Sequence, residues 1–296
     1  MHMFEKVLVT LDFSPYSQKI LDHTSEIPGI QEVVLLHVVD VGRPARLEWT
    51  DGTLHIENTK LLMEEKKKFL EHLGLKVRIS VDVIVNAITQ GTVSQAILEI
   101  AETENVSLIV IGARGINPIQ ELLLGSVSSS VVRYAKTNVL VLHFGSKTDS
   151  PDTATGSSSQ KLFSKVLVPT DFSTHARDVI ALVKTIPGIK EIILLHVVNR
   201  AESKSEIEVS VTDAQSQLEE IKKEFMGAGV DVMIHVCPGD PTEVILSLAE
   251  DEGVSLIAMS AYGTGWLRNL LVGSTTFTVV RRSTRPVLVI RTGQET

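Results

Sequence analysis

Short apolar runs alternate with longer amphipathic stretches along the whole chain. The apolar runs predict strands, and V-V-L-L-H-V-V near the start has the near-continuous pattern of a strand that is covered on both faces. The stretches between them have helical periodicity, with a Ser14-Pro15 start signal and a Gly74 stop signal. In the first half of the chain, the predicted strands are 6–11, 32–39, 76–84, 107–112 and 138–143, and the predicted helices are 14–25, 57–73, 92–103 and 126–136. Strand and helix in strict alternation predict an α/β fold with a doubly wound parallel sheet.

The same pattern occurs twice. K-V-L-V-T-L-D-F-S at Lys6 returns as K-V-L-V-P-T-D-F-S at Lys165, and I-P-G-I-Q-E-V-V-L-L-H at Ile27 returns as I-P-G-I-K-E-I-I-L-L-H at Ile186, so both shift by 159 residues. Later matches shift by 148 residues, which leaves the second copy shorter by a net 11. In the second copy the predicted strands are 165–170, 191–198, 231–237, 255–260 and 286–290.

The segment between the copies predicts a flexible linker. Residues 146–160 are rich in Ser, Thr, Gly and Pro and almost free of large apolar side chains. The chain of 296 residues also has the length of two average domains. We therefore expect one domain over 1–145 and a second over 161–296.

Composition and charge exclude several classes of protein. With 43% hydrophobic and 22% charged residues, the chain has the composition of an ordinary globular protein. It has no apolar run of the roughly 20 residues that span a bilayer and no signal-peptide pattern, so we expect a cytoplasmic protein with no membrane partner. Cys237 is the only cysteine, which excludes an internal disulfide and a multi-cysteine metal site. The net charge of −8 argues against nucleic acid as a partner.

A glycine pattern follows the fourth strand of each copy. Gly112, Gly115 and Gly125-Ser126 follow S-L-I-V-I in the first copy, and the second has S-L-I-A-M followed by the corresponding set of Ser260, Gly263 and Gly273-Ser274. A strand that leads into such a loop and then into a helix start presents main-chain N–H groups to an anion. The pattern predicts a ligand that carries phosphate.

Two aspartates place this ligand more closely. Asp12 and Asp171 end the first strand of each copy, and in open parallel sheets ligands bind at the carboxyl ends of the strands, where the strand order reverses. If the first and fourth strands are neighbours, a carboxylate and a glycine loop face one crevice. A carboxylate that accepts a hydrogen bond from an amine or hydroxyl, beside a phosphate-binding loop, suits a nucleotide.

Each of these features also has a purely structural interpretation. Asp12-Phe13-Ser14 could cap the first helix, and Gly125-Ser126 could be a turn and cap without a ligand. His37 and His196 suit strand residues whose ring nitrogens are satisfied. The chain has no phosphate-binding G-x-x-x-x-G-K-[ST] motif, no dinucleotide fingerprint, no nucleophile elbow and no H-E-x-x-H, so no catalytic residue is predicted.

Together these motifs resemble those of the universal stress protein family. The resemblance rests on K-V-L-V-P-T-D-F-S, on L-L-H-V-V and on G-x-x-G, nine residues and G-S, and it covers both copies. It implies a tandem protein with two five-stranded parallel sheets, each in the order 3-2-1-4-5. It also implies an adenine nucleotide (ATP, ADP or AMP) as the ligand, with a divalent metal ion as a candidate companion of the phosphates.

The family's contact positions transfer to this sequence residue by residue. In the first copy they are Thr10, Asp12, Val38, Ile111, Gly112, Gly115, Gly125, Ser126 and Val127, to which Arg114 adds a charge-assisted phosphate contact. In the second they are Pro169, Asp171, Val197, Met259, Ser260, Gly263, Gly273, Ser274 and Thr275. The first copy has Thr-Leu where the family has Pro-Thr, but its glycines are complete. The second has Ser260 for the first glycine and Tyr262 for Arg114, so we expect the first site to be occupied and leave the second open.

The resemblance also concerns assembly and activity. Members of the family dimerise through their fifth strands, so we expect an intrachain pseudo-dimer through those of the two copies, which would protect apolar edges, and a homodimer of chains is open. The leading function is a nucleotide-binding stress-response or regulatory protein that a still unknown protein partner recognises. One alternative is a slow ATP hydrolase or nucleotidyl transferase, in which Asp12 or Asp171 positions a metal or water. Another is an interaction module with at least one domain that binds no nucleotide.

Overall fold

The computed structural model describes residues 4–14, 16–40, 52–84, 92–114, 124–144, 161–198, 204–263 and 272–291. The chain divides into two compact units, Met1–Phe144 and Gly145–Thr296. The predicted linker over 146–160 and the predicted site residue Gly115 lie outside the described residues.

In the part of the first unit that the structure describes, strands and helices alternate. The strands are β1 (Lys6–Thr10), β2 (Glu32–Asp40), β3 (Lys76–Ile84), β4 (Leu108–Gly112) and β5 (Asn138–Leu142). The helices are α1 (Ser17–Ser25), α2 (Gly52–His72), α3 (Val93–Thr103) and α4 (Ser126–Tyr134). The strands are parallel and lie in the order β3-β2-β1-β4-β5, which confirms the predicted topology.

Helices cover both faces of this sheet. Helix α1 packs beside α2, and α3 packs beside α4, as right-handed crossovers to either side of β1 require. The central strands are consequently fully buried, with no exposed surface at Val7, Leu8 and Val9 of β1. The strand order reverses between β1 and β4, so the carboxyl ends of these two strands border the crevice of the first unit.

The second unit repeats this architecture. Its strands are β6 (Lys165–Pro169), β7 (Glu191–Val198), β8 (Asp231–Pro238), β9 (Leu256–Ser260) and β10 (Val287–Ile290). Its helices in the described ranges are α5 (Thr174–Val183), α6 (Lys204–Lys223), α7 (Pro241–Asp251) and α8 (Ser274–Arg282). The parallel order is β8-β7-β6-β9-β10, so the reversal falls between β6 and β9.

The strand boundaries agree with the predicted ones to within one residue, but two helix starts do not. Helix α1 begins at Ser17 rather than Ser14: the Ser14 carbonyl oxygen accepts the Ser17 N–H in a turn, and the first helical hydrogen bond runs from the Ile20 N–H to the Tyr16 carbonyl oxygen. The Ser-Pro start signal was therefore wrong by three residues. Helix α2 begins at Gly52, five residues before its predicted start, where Gly-Thr favours a turn by its composition and conceals the helix.

A cluster of partly buried ion pairs lies at the amino end of the sheet in each unit. In the first, the Lys6 Nζ lies 2.7 Å from an oxygen of Glu104 and 3.7 Å from one of Glu32. The second unit repeats the cluster with Lys165, which lies 3.0 Å from Glu252 and 3.4 Å from Glu191. These residues join the first strand, the second strand and the residue after a helix, so the cluster ties three elements together at the edge opposite the crevice.

Candidate nucleotide site

The turn after β1 places a carboxylate at the carboxyl end of the strand. One oxygen of Asp12 accepts the Ser14 N–H at 3.0 Å and the Ser17 hydroxyl at 3.3 Å. In the second unit, Asp171 accepts the Ser173 N–H at 3.0 Å. In this unit a hydroxyl also caps the following helix, as the structural interpretation allowed, because Ser173 Oγ accepts a helix N–H. In the first unit the Ser14 hydroxyl plays no such role, and α1 has no side-chain cap among the described residues.

An aromatic residue in a strained conformation holds each turn. Phe13 has a φ of 55° and Phe172 a φ of 60°, a region that bulky side chains rarely adopt. The Phe13 ring packs on His37 of β2, with ring centroids 4.6 Å apart, and Phe172 packs on His196 of β7 at 4.4 Å. His37 Nδ1 donates to the Leu11 carbonyl oxygen at 2.7 Å, because a carbonyl can only accept. The histidines therefore fix the turns that carry the aspartates.

The glycine loop of the first unit is closed at its base. The Gly125 N–H donates to the Ala113 carbonyl oxygen at 2.7 Å, and the Ser128 hydroxyl donates to that of Gly112 at 2.7 Å. These two bonds hold the start of α4 against the end of β4. The second unit has the same pair of bonds, from Gly273 to Ala261 at 2.7 Å and from Thr276 to Ser260 at 2.8 Å.

The helices that follow these loops begin without a side-chain cap. Gly125 and Gly273 are the N-cap residues of α4 and α8, and as glycines they have no side chain that could cap the first N–H groups. By contrast, α3 has a capping box on Thr92, and α5 and α7 have caps from Ser173 and Asp240. Because the first N–H groups of a helix need an acceptor, the two uncapped starts are suited to an anion.

In the second unit the carboxylate and the glycine loop meet. A Cβ atom added to Gly263 would lie only 3.0 Å from an oxygen of Asp171, so the loop backbone passes directly beside this side chain. The predicted convergence of strand one and the loop is thus present in this unit. In the first unit the equivalent glycine, Gly115, is outside the described residues.

The remaining predicted contact residues lie where the strands end. All six occupy one of the last three positions of their strands: Thr10, Val38, Ile111, Pro169, Val197 and Met259. In register, Thr10 pairs with Leu36 and Pro169 with Leu195. They therefore border the same edge of the sheet as the aspartates and the loops. Ser126, Val127, Ser274 and Thr275 stand in the first turns of α4 and α8.

The side chain that would crowd a residue other than glycine at Gly112 is smaller in the second unit, which has Ser260 there. A Cβ added to Gly112 would lie 3.2 Å from Ile20 Cδ1, whereas the residue that corresponds to Ile20 in the second unit is Val179, which lacks this atom. The Ser260 hydroxyl is buried and accepts the Tyr262 N–H at 3.1 Å. In the second unit this loop N–H is therefore already bonded within the protein.

Two residues after the fifth strands belong to the same edge, and sequence reasoning missed both. His143 follows β5, and burial, together with the positive charge of Arg114, lowers its pKa to about 3, so it is neutral. Arg291 follows β10 and donates to the Tyr262 hydroxyl at 3.1 Å. The signal was present in the 148-residue shift, which aligns His143 with Arg291, but neither residue lies within a recognised motif.

Each of the two copies matches a known protein family separately. The sequence model described as the universal stress protein family matches residues 3–143 and again residues 162–291. The chain belongs to the universal stress protein family. Universal stress protein MJ0577 of Methanocaldococcus jannaschii is 34% identical over 155 residues, which cover 44% of this chain and 96% of that protein. Universal stress protein YxiE of Bacillus subtilis is 32% identical over 148 residues, 47% of this chain and 99% of that protein.

One solved structure of a universal stress protein has the same fold over the full length of this sequence. The crystal structure of a universal stress protein from Archaeoglobus fulgidus has a TM-score of 0.65 at 24% identity and covers 100% of this chain and 99% of that one. At this identity the likeness concerns the fold. It agrees with the two tandem parallel sheets described above.

The described residues offer neither a cluster of metal ligands nor a membrane-spanning helix. They contain no group of three or more His, Cys, Asp and Glu side chains that could hold a metal ion. Among the same residues, no helix combines the length and the apolar character needed to cross a bilayer.

Proposed function

We propose that this universal stress protein binds adenine nucleotides at the carboxyl edges of its sheets and acts as a stress-response regulator. The observation that carries the proposal is the start of α4 at Gly125, which lacks a side-chain cap and is held against the end of β4. The main-chain N–H groups of Ser126 and Val127 can then donate hydrogen bonds to an anion, which the partial positive charge at the helix N-terminus also attracts. Phosphate is the anion that this geometry suits best.

The neighbouring side chains give the ligand its orientation. Arg114 stands two residues after the end of β4 and supplies a planar cation for a phosphate oxygen. Asp12, held by Ser14 and Ser17, is an acceptor for an amine or hydroxyl of the nucleoside. A phosphate site at one end and a hydrogen-bond acceptor at the other match the two ends of a nucleotide. The proposed site in the first unit consists of the residues named above by resemblance, with Gly115 in the loop.

The first unit is the stronger of the two proposed sites. Its loop keeps Gly112 and Arg114, whereas in the second the Ser260 hydroxyl occupies a loop N–H and the aromatic Tyr262 replaces the cation. Binding regulates the protein only if the nucleotide has different affinities for two states of the chain, and the glycine loops are the segments that a nucleotide would order. A partner would then recognise the ordered loops.

Identification of the resident ligand tests this proposal directly. The protein is purified without added nucleotide and denatured, and the released small molecules are identified and counted by mass spectrometry. We expect ATP, ADP or AMP at one to two equivalents per chain; one equivalent favours one working site and two favour both. If neither the purified chain nor the chain titrated with these nucleotides binds any of them, the proposal is wrong.

The same preparation separates binding from hydrolysis. An ATP hydrolase would release ADP continuously, and that release would disappear with Asp12→Ala. A binding protein would retain ATP over the same period. Titration of ATP in the presence of Mg²⁺ and again in EDTA tests whether a divalent ion accompanies the phosphates.

A further inference from the structure

Two positions beside the glycine loop include one arginine in each unit, but the arginine does not occupy the same position in both. In the first unit they hold Arg114, after β4, and His143, after β5, and the arginine charge acts on the histidine. A shift of 148 residues places Tyr262 and Arg291 at these positions in the second unit, where they are hydrogen-bonded. Each unit therefore has one arginine in this pair, but the two arginines come from different strands.

Tyr262 holds the guanidinium of Arg291 at the loop. Arg291 Nη1 donates to the tyrosine hydroxyl at 3.1 Å, and its Cζ lies 5.8 Å from the centroid of the tyrosine ring, within range of a cation–π contact. The ring is 6% exposed and packs on His175 from the first turn of α5, with centroids 5.4 Å apart. The next residue is Gly263, whose backbone passes beside Asp171. Arg291 is thus bonded to the residue that directly precedes Gly263 in the loop.

The chemistry of the guanidinium suits a ligand phosphate at this place. A guanidinium has five N–H donors in a planar fork that matches the oxygens of a phosphate, and the bond to Tyr262 orients this fork. Arg291 is half-buried, and burial lowers its pKa while Tyr262 raises it, yet arginine keeps its charge in proteins. A cation withdrawn from water is stabilised by an anion nearby.

We propose that Arg291 is the phosphate-binding cation of the second unit, in the role that Arg114 has in the first, and that Tyr262 is its positioning residue. The exchange of the loop arginine for tyrosine then moves the cation to the neighbouring strand and does not abolish the site. This inference rests on the proposed function, because it requires a nucleotide in the second crevice.

The test isolates the second unit in the full chain. Gly125→Asp blocks the first site, and calorimetric titration with ATP and with adenosine then measures the second. Arg291→Gln is expected to weaken ATP binding about 10- to 100-fold, the usual value of a charge-assisted hydrogen bond, and to leave adenosine affinity within about twofold. Arg291→Lys is expected to retain part of the ATP affinity, and Tyr262→Phe to give an intermediate loss.

The controls separate a phosphate contact from a structural role. Arg282→Gln removes another arginine of the second unit, which is exposed and paired with Glu243, and should leave ATP affinity unchanged. The inference is overturned if Arg291→Gln leaves ATP affinity unchanged, if ATP and adenosine affinities fall together, or if the second unit binds neither ligand while the first does. Failure of the proposed function gives a different result, since the unaltered chain then binds no adenine nucleotide at all.

Discussion

At the amino edges of the two sheets a lysine lies between the same two glutamates, whereas at the carboxyl edges the side chains differ. Lys6 and Lys165 occupy the same place and make the same ion pairs. At the other edge, Gly112 becomes Ser260 and Arg114 becomes Tyr262. The hydrogen bonds at the base of the loop persist in both units. The fold is therefore retained in both copies, while the side chains that would meet a ligand have diverged.

The contrast between the two edges separates residues that stabilise the fold from residues that belong to the proposed site. Substitutions at the carboxyl edge of one unit should change the nucleotide affinity of that unit and leave the affinity of the other unit unchanged. Changes at the amino edge should alter stability without altering the ligand.

The largest effect is expected from Gly125→Asp. Gly125 has a φ of −71°, and an added Cβ would make an ordinary contact of 3.4 Å with the Ala113 carbonyl oxygen, so the backbone accepts the substitution. The new carboxylate would cap α4 and occupy the N–H groups proposed for phosphate. We expect ATP affinity of the first unit to fall roughly 100-fold or more, because several charge-assisted bonds are lost. Calorimetric titration measures this loss.

The same substitution should leave the nucleotide-free protein slightly more stable. Loss of a glycine and gain of a cap together contribute about 0.5–1 kcal/mol, measured by urea unfolding. Gly125→Ala adds the Cβ without the carboxylate and is expected to reduce affinity much less. Gly273→Asp is the matched variant of the second unit. Unchanged ATP affinity in the Gly125→Asp, Gly273→Asp double variant would show that the helix starts are not the phosphate sites.

Much of this architecture was predictable because it depends on periodic patterns. Strand boundaries followed from continuous apolar runs, and the order of strands followed from the resemblance that the motifs carry. The start of α1 was not predictable from the Asp-Phe-Ser turn, because the second unit has the same turn and yet its helix α5 begins directly after Ser173. The same local pattern therefore precedes two different helix starts. The pairing of the fifth strands stays a prediction.

The candidate site was predictable in its glycines and aspartates and not in its supporting side chains. The replacement of Gly112 by Ser260 is evident when the two copies are aligned. The relevance of the change from Ile20 to Val179 is not, because only the structure shows that a helix side chain lies over the glycine. The contact between Tyr262 and Arg291 likewise joins residues far apart in the sequence. Tertiary contacts of this kind depend on packing across elements, which local patterns do not encode.

The next largest effect is expected at Arg114. Arg114→Gln removes the loop cation of the first unit and keeps a polar side chain of similar length. We expect ATP affinity of the first unit to fall about 10- to 100-fold and adenosine affinity to stay the same, because only ATP carries the phosphates. Titrations in the Gly273→Asp background restrict the measurement to this unit. Equal losses for ATP and adenosine would instead assign Arg114 a structural role.

An exchange between the units tests the packing difference. Gly112→Ser alone places a Cβ 3.2 Å from Ile20 Cδ1 and 3.3 Å from the Arg114 carbonyl oxygen, and we expect it to cost about 1–3 kcal/mol. Ile20→Val alone should cost about 0.5–1.5 kcal/mol through a small cavity. Together the two substitutions reproduce the combination of the second unit. The double variant should therefore lose less stability than the two single variants lose in sum.

Urea unfolding of the four proteins in this double-mutant cycle measures the coupling. A favourable coupling of about 1 kcal/mol is expected, since the valine makes room for the serine. Strictly additive costs would mean that the exchange of Ile20 for Val179 is unrelated to Ser260. ATP titration of the double variant then shows whether a serine at this place weakens binding in the first unit, as we expect if its hydroxyl takes the Arg114 N–H.

The smallest effect is expected at the amino edge, and it depends on pH. A hydrogen bond from Lys6 lowers the pKa of the Glu104 carboxyl below its usual value of 4.5, burial opposes this, and Arg78 adds to the lowering. Ionised Glu104 therefore stabilises the folded chain above about pH 4.5, and this contribution is lost as the pH falls through the lower pKa of the folded state.

Glu104→Gln should consequently destabilise the protein by about 0.5–1 kcal/mol at pH 7 and by much less at pH 3, as measured by urea unfolding. Glu252→Gln should have a comparable cost at pH 7, because Glu252 occupies the same place in the second unit. As a control, Glu102→Gln breaks an exposed ion pair between Glu102 of α3 and Lys136, and should cost less than either. ATP affinity should not change in any of the three. A loss of affinity with Glu104→Gln would contradict the separation of the two edges, because this carboxylate lies at the end of the sheet opposite the proposed nucleotide.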